Sequence, residues 1–399
     1  MRKCLPSPRE GVEPMHPKLK HLIITFFNRV LVQDEVKRTL VDTLSTPFSH
    51  RSHILEHVSN DVTTQPYPDL GAITGTEQAS ERQDIIFITG RFRSGSTLLW
   101  NIFRSIPGIT AYYEPLNESS QKRRFTSRHQ KNAKHEQTMA QKMRHTLVED
   151  YDQEYQGLES LAALYQETWI RNALYMDAGA YNPQMKQFIT LLIEHAPGRP
   201  VLQFNRIDFR LPWIRQNFPH AKLLHIYRHP REQWCSSLLV HSSSFSPDGR
   251  MEDFAPYDGF YLRMWAQDLK YHFPFLDERR VTHPYELFYY LWKLSWLFGT
   301  AYSDVSICFE ELLQRPSQIL TLLFEELQLE REHVARAEQL IVKPRLDKWK
   351  DYADEAWFVQ KESQCEAVLH EFWITQKPGP NSPRKYSTEP LKNLDMGKF

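Results

Sequence analysis

Eight residues, Gly90-Arg91-Phe92-Arg93-Ser94-Gly95-Ser96-Thr97, sit between the apolar run Ile85-Ile86-Phe87-Ile88 and the segment Leu98-Leu99-Trp100-Asn101-Ile102-Phe103. A buried strand, a tight glycine loop and a helix in that order form the setting of an anion-binding loop, because the N–H groups of a helix start have no partner inside the helix. The spacing fits G-x-x-x-x-G-K-[ST] except at the lysine, where Ser96 stands; a cation appears inside the loop instead, at Arg93. Such a loop is expected to hold a phosphate or sulfate group rather than the phosphates of Mg-ATP. Read alone, the same residues also suit a plain glycine turn with a serine at the helix cap.

The 399 residues suffice for one large or two ordinary domains. Forty-nine Lys and Arg balance 49 Asp and Glu, without the basic excess of a general nucleic-acid binder. Cys4, Cys235, Cys308 and Cys365 lie far apart, so neither a zinc site nor a disulfide framework is expected. Met1-Arg2-Lys3-Cys4-Leu5-Pro6 leads into polar residues and prolines, unlike a signal peptide. Leu22 to Phe27 and Leu287 to Phe298 are the longest apolar stretches, well short of the roughly 20 residues a transmembrane helix needs. The expectation is a soluble, cytoplasmic protein.

Residues 1–80 read as a helical N-terminal extension and linker. An amphipathic helix is expected over 21–44; it could dock on the main domain or lie on a membrane surface as a peripheral contact. The main domain is expected over 81–390, with an insertion at 119–198 that carries a basic run and a helix at Glu159–Met176. Strands are expected at Ile85–Thr89, Ile109–Tyr113, Val201–Phe204, Lys222–Tyr227 and Val305–Phe309. Helices are expected at Thr97–Ser105, Leu211–Asn217, Tyr257–Leu276 and Pro284–Tyr302. This alternation predicts a three-layer α/β, P-loop-like domain with a mostly parallel sheet flanked by helices. Ligands of such sheets bind at the carboxyl ends of the strands.

Three groups of residues could carry chemistry there. The loop offers Arg93, the hydroxyls of Ser94, Ser96 and Thr97, and the free N–H groups around Gly95. Glu114 follows the second strand, which is expected beside the first, and a carboxylate there could take a proton from a hydroxyl. Arg228 ends another strand, and Ser236 lies two helical turns later, so both could converge on one anion. Each group also has an ordinary reading as turn, solvated edge charge or helix start.

Together these residues resemble the sulfotransferases that use 3′-phosphoadenosine 5′-phosphosulfate (PAPS). Phe92-Arg93-Ser94-Gly95-Ser96-Thr97 is similar to that family's 5′-phosphosulfate loop, in the arginine form of the Golgi carbohydrate and protein-tyrosine enzymes. Pro107, Glu114 and Pro115 fall where the carbohydrate enzymes carry a proline and then Glu-Pro. Arg228 and Ser236 match the 3′-phosphate arginine and serine, and Ile307-Cys308-Phe309-Glu310-Glu311-Leu312-Leu313 resembles a later strand-to-helix signature. The likeness covers roughly 84–118 and 201–329. It implies transfer of the sulfuryl group of PAPS to a hydroxyl, a carbohydrate among the candidates, with adenosine 3′,5′-bisphosphate as product. Glu114 would be the catalytic base and Arg93 its catalytic partner. Arg93, Ser94, Gly95, Ser96, Thr97, Arg228 and Ser236 would bind the co-substrate PAPS, and no metal would be required.

Departures are visible too. Gln203 and Asn205 replace the lysine and histidine of cytosolic relatives, leaving the bridging oxygen to Arg93, helped by Arg206. Arg384-Lys385 is a poor substitute for the usual Arg-Lys-Gly loop. The basic run after Glu114 could attract an acidic glycan, and the aromatic helix Tyr285–Trp296 is expected in the core, with the lining of an acceptor pocket as the alternative. Open alternatives are a Mg-dependent P-loop kinase or phosphotransferase, a non-catalytic nucleotide-binding protein, and a membrane-surface scaffold.

Overall fold

The structure, a computed structural model, describes residues 82–117, 148, 150–238 and 245–375. The expected 21–44 helix, the basic run and Arg384-Lys385 lie outside them.

Five strands make one parallel sheet: β1 (Ile86–Thr89), β2 (Ile109–Tyr113), β3 (Arg199–Phe204), β4 (Lys222–Tyr227) and β5 (Val305–Cys308), in the order β2-β3-β1-β4-β5. Register explains the layering. Ile86 aligns with Val201, Val201 with Ala111, and all three face one core; Phe87, Leu202, Tyr112 and Leu223 are the next rung and face the other. Side chains alternate along a strand, so near-continuous apolar runs supply both faces of a doubly covered sheet. On the first face lie α1 (Ser96–Arg104), α7 (Phe309–Gln314), α8 (Pro316–Glu326) and α9 (Val334–Gln339). The opposite face is covered by α2 (Pro183–Glu194), α3 (Leu211–Asn217), α5 (Leu262–Leu269), α6 (Pro284–Tyr302) and α10 (Glu355–Thr375). After β4 comes α4 (Pro230–Leu238), which adds Trp234, Cys235 and Leu238 to the second core and has Pro230 at its start, where a missing N–H costs nothing.

Three expectations need correction. First, β2 does not neighbour β1: β3 pairs with both and lies between them. Second, Glu159–Met176 is not an α-helix but two short 3₁₀ turns, Glu159–Ala163 and Glu167–Ile170, divided by extended Gln166 (φ −120°, ψ 120°). Leu161, Tyr165, Trp169 and Leu174 are still buried, so the apolar spacing is met by turns wrapped over α2 rather than by a helix face. Third, Tyr257–Leu276 is helical only over Leu262–Leu269. Tyr261 takes left-handed φ 61° before it, and Pro274, lacking an N–H, heads a separate turn after it. The aromatic helix α6 runs over the expected span and is buried along most of its length.

Candidate active site

Every strand delivers a candidate residue at its carboxyl end: β1 the glycine loop, β2 Glu114, β3 Asn205 and Arg206, β4 Arg228, and β5 Phe309 and Glu310. A parallel sheet places all those ends on one edge, so residues more than 200 positions apart become neighbours.

Two glycines shape the loop. A Cβ on Gly90 would stand 2.5 Å from the carbonyl oxygen of Ile226, so only glycine lets the loop leave β1 this close to β4. Gly95 caps α1 at φ 103°, and a Cβ there would lie 2.3 Å from the Phe309 ring. Arg93 also takes left-handed backbone, φ 68°, a conformation that β-carbon crowding makes costly and that clusters at functional sites. The Ser94 hydroxyl is buried and has no hydrogen-bond partner. Gln233 Nε2 donates to the Phe92 carbonyl at 2.7 Å and ties the loop to α4.

The loop and α4 meet directly. Arg93 Nε donates to Ser236 Oγ at 3.0 Å. Arg228 stacks its guanidinium 5.0 Å over Phe309, the same ring that Gly95 touches. Its Nη2 donates to Glu232 at 3.1 Å, and its Nε lies 3.5 Å from Glu310. Trp292 Nε1 holds the Arg228 carbonyl at 2.9 Å. Burial lowers the pKa of Arg93, and the nearby positive charge of Arg228 lowers it further. A half-buried guanidinium, Arg93, and a buried one, Arg228, crowded together beside an unpartnered hydroxyl and the N–H groups of a helix start, make a demand for negative charge. A phosphate- or sulfate-bearing group suits that donor set.

Glu114 closes the other side. It is 6 % exposed and takes φ 40°. Its Oε1 accepts from Asn205 Nδ2 at 2.6 Å and its Oε2 from Arg206 Nη1 at 2.5 Å. Asn205 Oδ1 in turn accepts from Ser96 Oγ at 2.8 Å and Gln203 Nε2 at 2.9 Å. Those partners also assign the amide orientation, since a flipped Asn205 would turn its oxygen toward the Glu114 carboxylate. A single chain of hydrogen bonds thus runs from the loop helix through Asn205 to the carboxylate. Thr97 Oγ1 lies 3.2 Å from the hydroxyl of Tyr113, the residue before Glu114. Arg206, expected to help Arg93, is instead committed to Glu114, with its guanidinium over Phe92 and Tyr261. Arg210 supports it from behind: fully buried, it donates to the carbonyls of Arg206, Trp169, Asn172 and Ala173.

The sequence-derived residues Arg93, Ser94, Gly95, Ser96, Thr97, Glu114, Arg228 and Ser236 therefore share one sheet edge. Asn205, read in the sequence only as a non-basic replacement, is the hub between Ser96 and Glu114. Phe309 was visible only as part of a motif, yet it touches both anion-binding elements. Glu232, paired with Arg228 and accepting the Lys348 N–H at 3.0 Å, carried no sequence signal beyond its place one helical turn after the arginine. The outer end of α4 is clamped by α10, where Glu362 takes both Arg231 Nε (2.8 Å) and Nη2 (2.7 Å).

No curated protein matches the chain by sequence. Among solved structures it resembles sulfotransferase STF9 from Mycobacterium avium (12 % identity, TM-score 0.38, covering 73 % of this chain and 76 % of that one). It also resembles a sulfotransferase domain from the curacin biosynthetic pathway (18 %, 0.36, 72 % and 97 %) and a sulfotransferase from Alicyclobacillus acidocaldarius (15 %, 0.34, 71 % and 95 %). The sequence profile described as "Sulfotransferase family" matches residues 84–289, more than half of the chain and the stretch that holds the loop, Glu114, Arg206, Arg228 and Ser236. By that match, the chain belongs to the sulfotransferase family.

Proposed function

We propose that this protein transfers the sulfuryl group of PAPS to a hydroxyl acceptor, giving a sulfate ester and adenosine 3′,5′-bisphosphate. The Arg93–Ser236 hydrogen bond carries the reading: it joins the 5′-type loop to the 3′-type helix, so one donor molecule can span both. The loop N–H groups, the Ser94 hydroxyl and Arg93 would hold the 5′ end and stabilise charge on the departing phosphate oxygen. Arg228 and Ser236 would hold the 3′-phosphate, which ATP lacks. The acceptor oxygen attacks sulfur in line as the sulfur–oxygen bond to the 5′-phosphate breaks. Glu114 takes the acceptor's proton, while Asn205 and Arg206 fix the carboxylate's position. A sulfuryl group carries one negative charge fewer than a phosphoryl group, so arginine and hydroxyl donors suffice where phosphoryl transfer leans on Mg²⁺.

The test is incubation with radiolabelled PAPS and a panel of hydroxyl acceptors, with and without EDTA. Label should appear in an organic sulfate ester equally in both. Transfer from ATP that requires Mg²⁺ would replace this reading with the kinase alternative. Tight binding of adenosine 3′,5′-bisphosphate without turnover on any acceptor would favour a nucleotide-binding protein.

A further inference from the structure

Behind the loop, on the side away from α1, lies a cavity of about 20 Å³ whose walls include Arg91, Phe92, Trp234, Asp258, Phe260 and Phe288. By this measure one water needs about 10–15 Å³, so the space takes a single oxygen-bearing group and not a sugar ring. Its walls are mostly aromatic, with Leu262 and Gly259 among them and polar groups at Arg91, Asp258 and Ser237. Arg91 is 5 % exposed, its guanidinium lies 5.0 Å from the centre of the Trp265 ring, and its Nη1 has no hydrogen-bond partner. The two nearby carboxylates are occupied elsewhere. Asp208 accepts from Thr89 and Ser295, and Asp258 accepts from the N–H groups of Leu262 and Arg263. Both still balance the charge of Arg91, so a further anion would meet two negative neighbours, whereas a neutral oxygen would satisfy the orphaned donor without that cost.

Phe92 separates the cavity from the Glu114 corner. Its ring packs 5.2 Å from Phe260 on the cavity side, and the Arg206 guanidinium that holds Glu114 lies 5.0 Å from it. An acceptor with its hydroxyl at Glu114 would end in this cavity once the Phe92 ring, which packs on Phe260, Tyr261 and Trp265, turns aside. We propose that Arg91 and its aromatic surroundings form the acceptor's distal subsite, selecting small, uncharged, aromatic or similarly flat alcohols and phenols that carry a second, hydrogen-bond-accepting oxygen. This subsite rests on the hydroxyl-sulfation reading above and argues against an acidic glycan as acceptor.

The experiment compares sulfation of 4-hydroxyacetophenone, 4-ethylphenol and desulfated chondroitin by the wild type, Arg91→Met and Arg91→Lys, with adenosine 3′,5′-bisphosphate affinity measured on each by calorimetry. In the wild type the ketone should exceed the ethyl compound in kcat/KM by about 10- to 100-fold. That ratio should fall to about two-fold or less in Arg91→Met, chiefly through a higher KM for the ketone, and recover in part in Arg91→Lys, with bisphosphate affinity unchanged. A wild type that prefers chondroitin, sulfates neither phenol or ignores the ketone oxygen overturns the subsite while leaving the donor reading intact. An unchanged ratio in a folded Arg91→Met also overturns it and makes the cavity a water site. Should the wild type fail to bind the bisphosphate at all, the sulfotransfer reading falls first and the subsite with it.

Discussion

Two halves of the site are built in opposite ways. On the loop side, donors exceed acceptors: the Ser94 hydroxyl has no partner, the Arg228 Nε is poorly met by Glu310 at 3.5 Å, and Arg93 and Arg228 repel each other. On the Glu114 side both carboxylate oxygens are engaged, by donors that are themselves held. One half leaves donors over, and the other matches its donors to the carboxylate. That is the division expected when a highly charged donor molecule must be drawn in while a small, fixed group does the proton transfer, because a positioned base gains from not having to reorganise.

The contrast is broken most directly at Glu114. Glu114→Gln removes the base but keeps an oxygen for Arg206. Turnover should drop about 10²- to 10⁴-fold, with the affinity for adenosine 3′,5′-bisphosphate within about three-fold of the wild type, measured by steady-state kinetics and calorimetry. Equal turnover would remove Glu114 as the base. Because the exchange leaves Arg206 buried and without its charge partner, at a cost of about 3–5 kcal/mol, the double variant Glu114→Gln/Arg206→Met should regain stability without regaining activity.

On the loop side the expected damage is to binding. Arg228→Gln keeps a hydrogen-bond donor but loses the charge. The affinity for adenosine 3′,5′-bisphosphate should fall about 10- to 100-fold, the worth of one or two charged hydrogen bonds. Adenosine 5′-phosphate, lacking the 3′ group, should bind with nearly unchanged affinity. Equal losses for both nucleotides would mean that Arg228 only supports the fold through Phe309, Glu232 and Trp292.

How much of this could be read from the chain depended on whether the cause was local. Strand ends and the loop were legible because apolar runs, glycines and helix starts act over a few residues: Lys222–Tyr227, Leu211–Asn217 and Pro284–Tyr302 took the expected bounds. The position of β3 between β1 and β2 was not legible, since strand order is decided by layer packing and leaves no mark at fixed spacing. The same holds for the assignment of Arg206 to Glu114, which are 92 residues apart. Glu159–Met176 misled because its apolar spacing is real, but bulky Tyr165 and Trp169 reach the core from turns as well as from a helix.

A pH experiment separates the sheet from the site. His225, on β4 with Nδ1 2.7 Å from the Ser306 hydroxyl, is buried, and burial lowers its pKa to about 3. The unfolded chain takes up this proton near pH 6.5. Its contribution to stability is therefore complete above about pH 6.5 and is lost as pH falls toward 3, at up to about 1.4 kcal/mol per pH unit. His283, lowered to about 4 by burial, adds to the same trend. His225→Asn should flatten the slope of denaturant-measured stability between pH 6.5 and 4.5 while leaving the pH profile of bisphosphate binding unchanged. A parallel change in both profiles would mean that the sheet and the anion site titrate as one unit.

The smallest expected effect tests whether the donor half is preformed or held in place from outside. Arg231 is three residues after Arg228, and its paired hydrogen bonds to Glu362 fasten α4 to α10, reinforced by stacking on Trp349 and Phe358. Glu362→Gln would keep one hydrogen bond and the stacking but lose the charge. The pair is mostly shielded from water (11 % and 17 % side-chain exposure), so a loss of about 1 kcal/mol of stability is expected, at the upper end for accessible pairs. If the loop and α4 are locked together mainly by Arg93–Ser236 and Gln233–Phe92, bisphosphate affinity should change less than about three-fold. A loss as large as that of Arg228→Gln, without further loss of stability, would place the control of Arg228 in α10, because Glu362 holds both α4, through Arg231, and α6, through the Tyr285 hydroxyl.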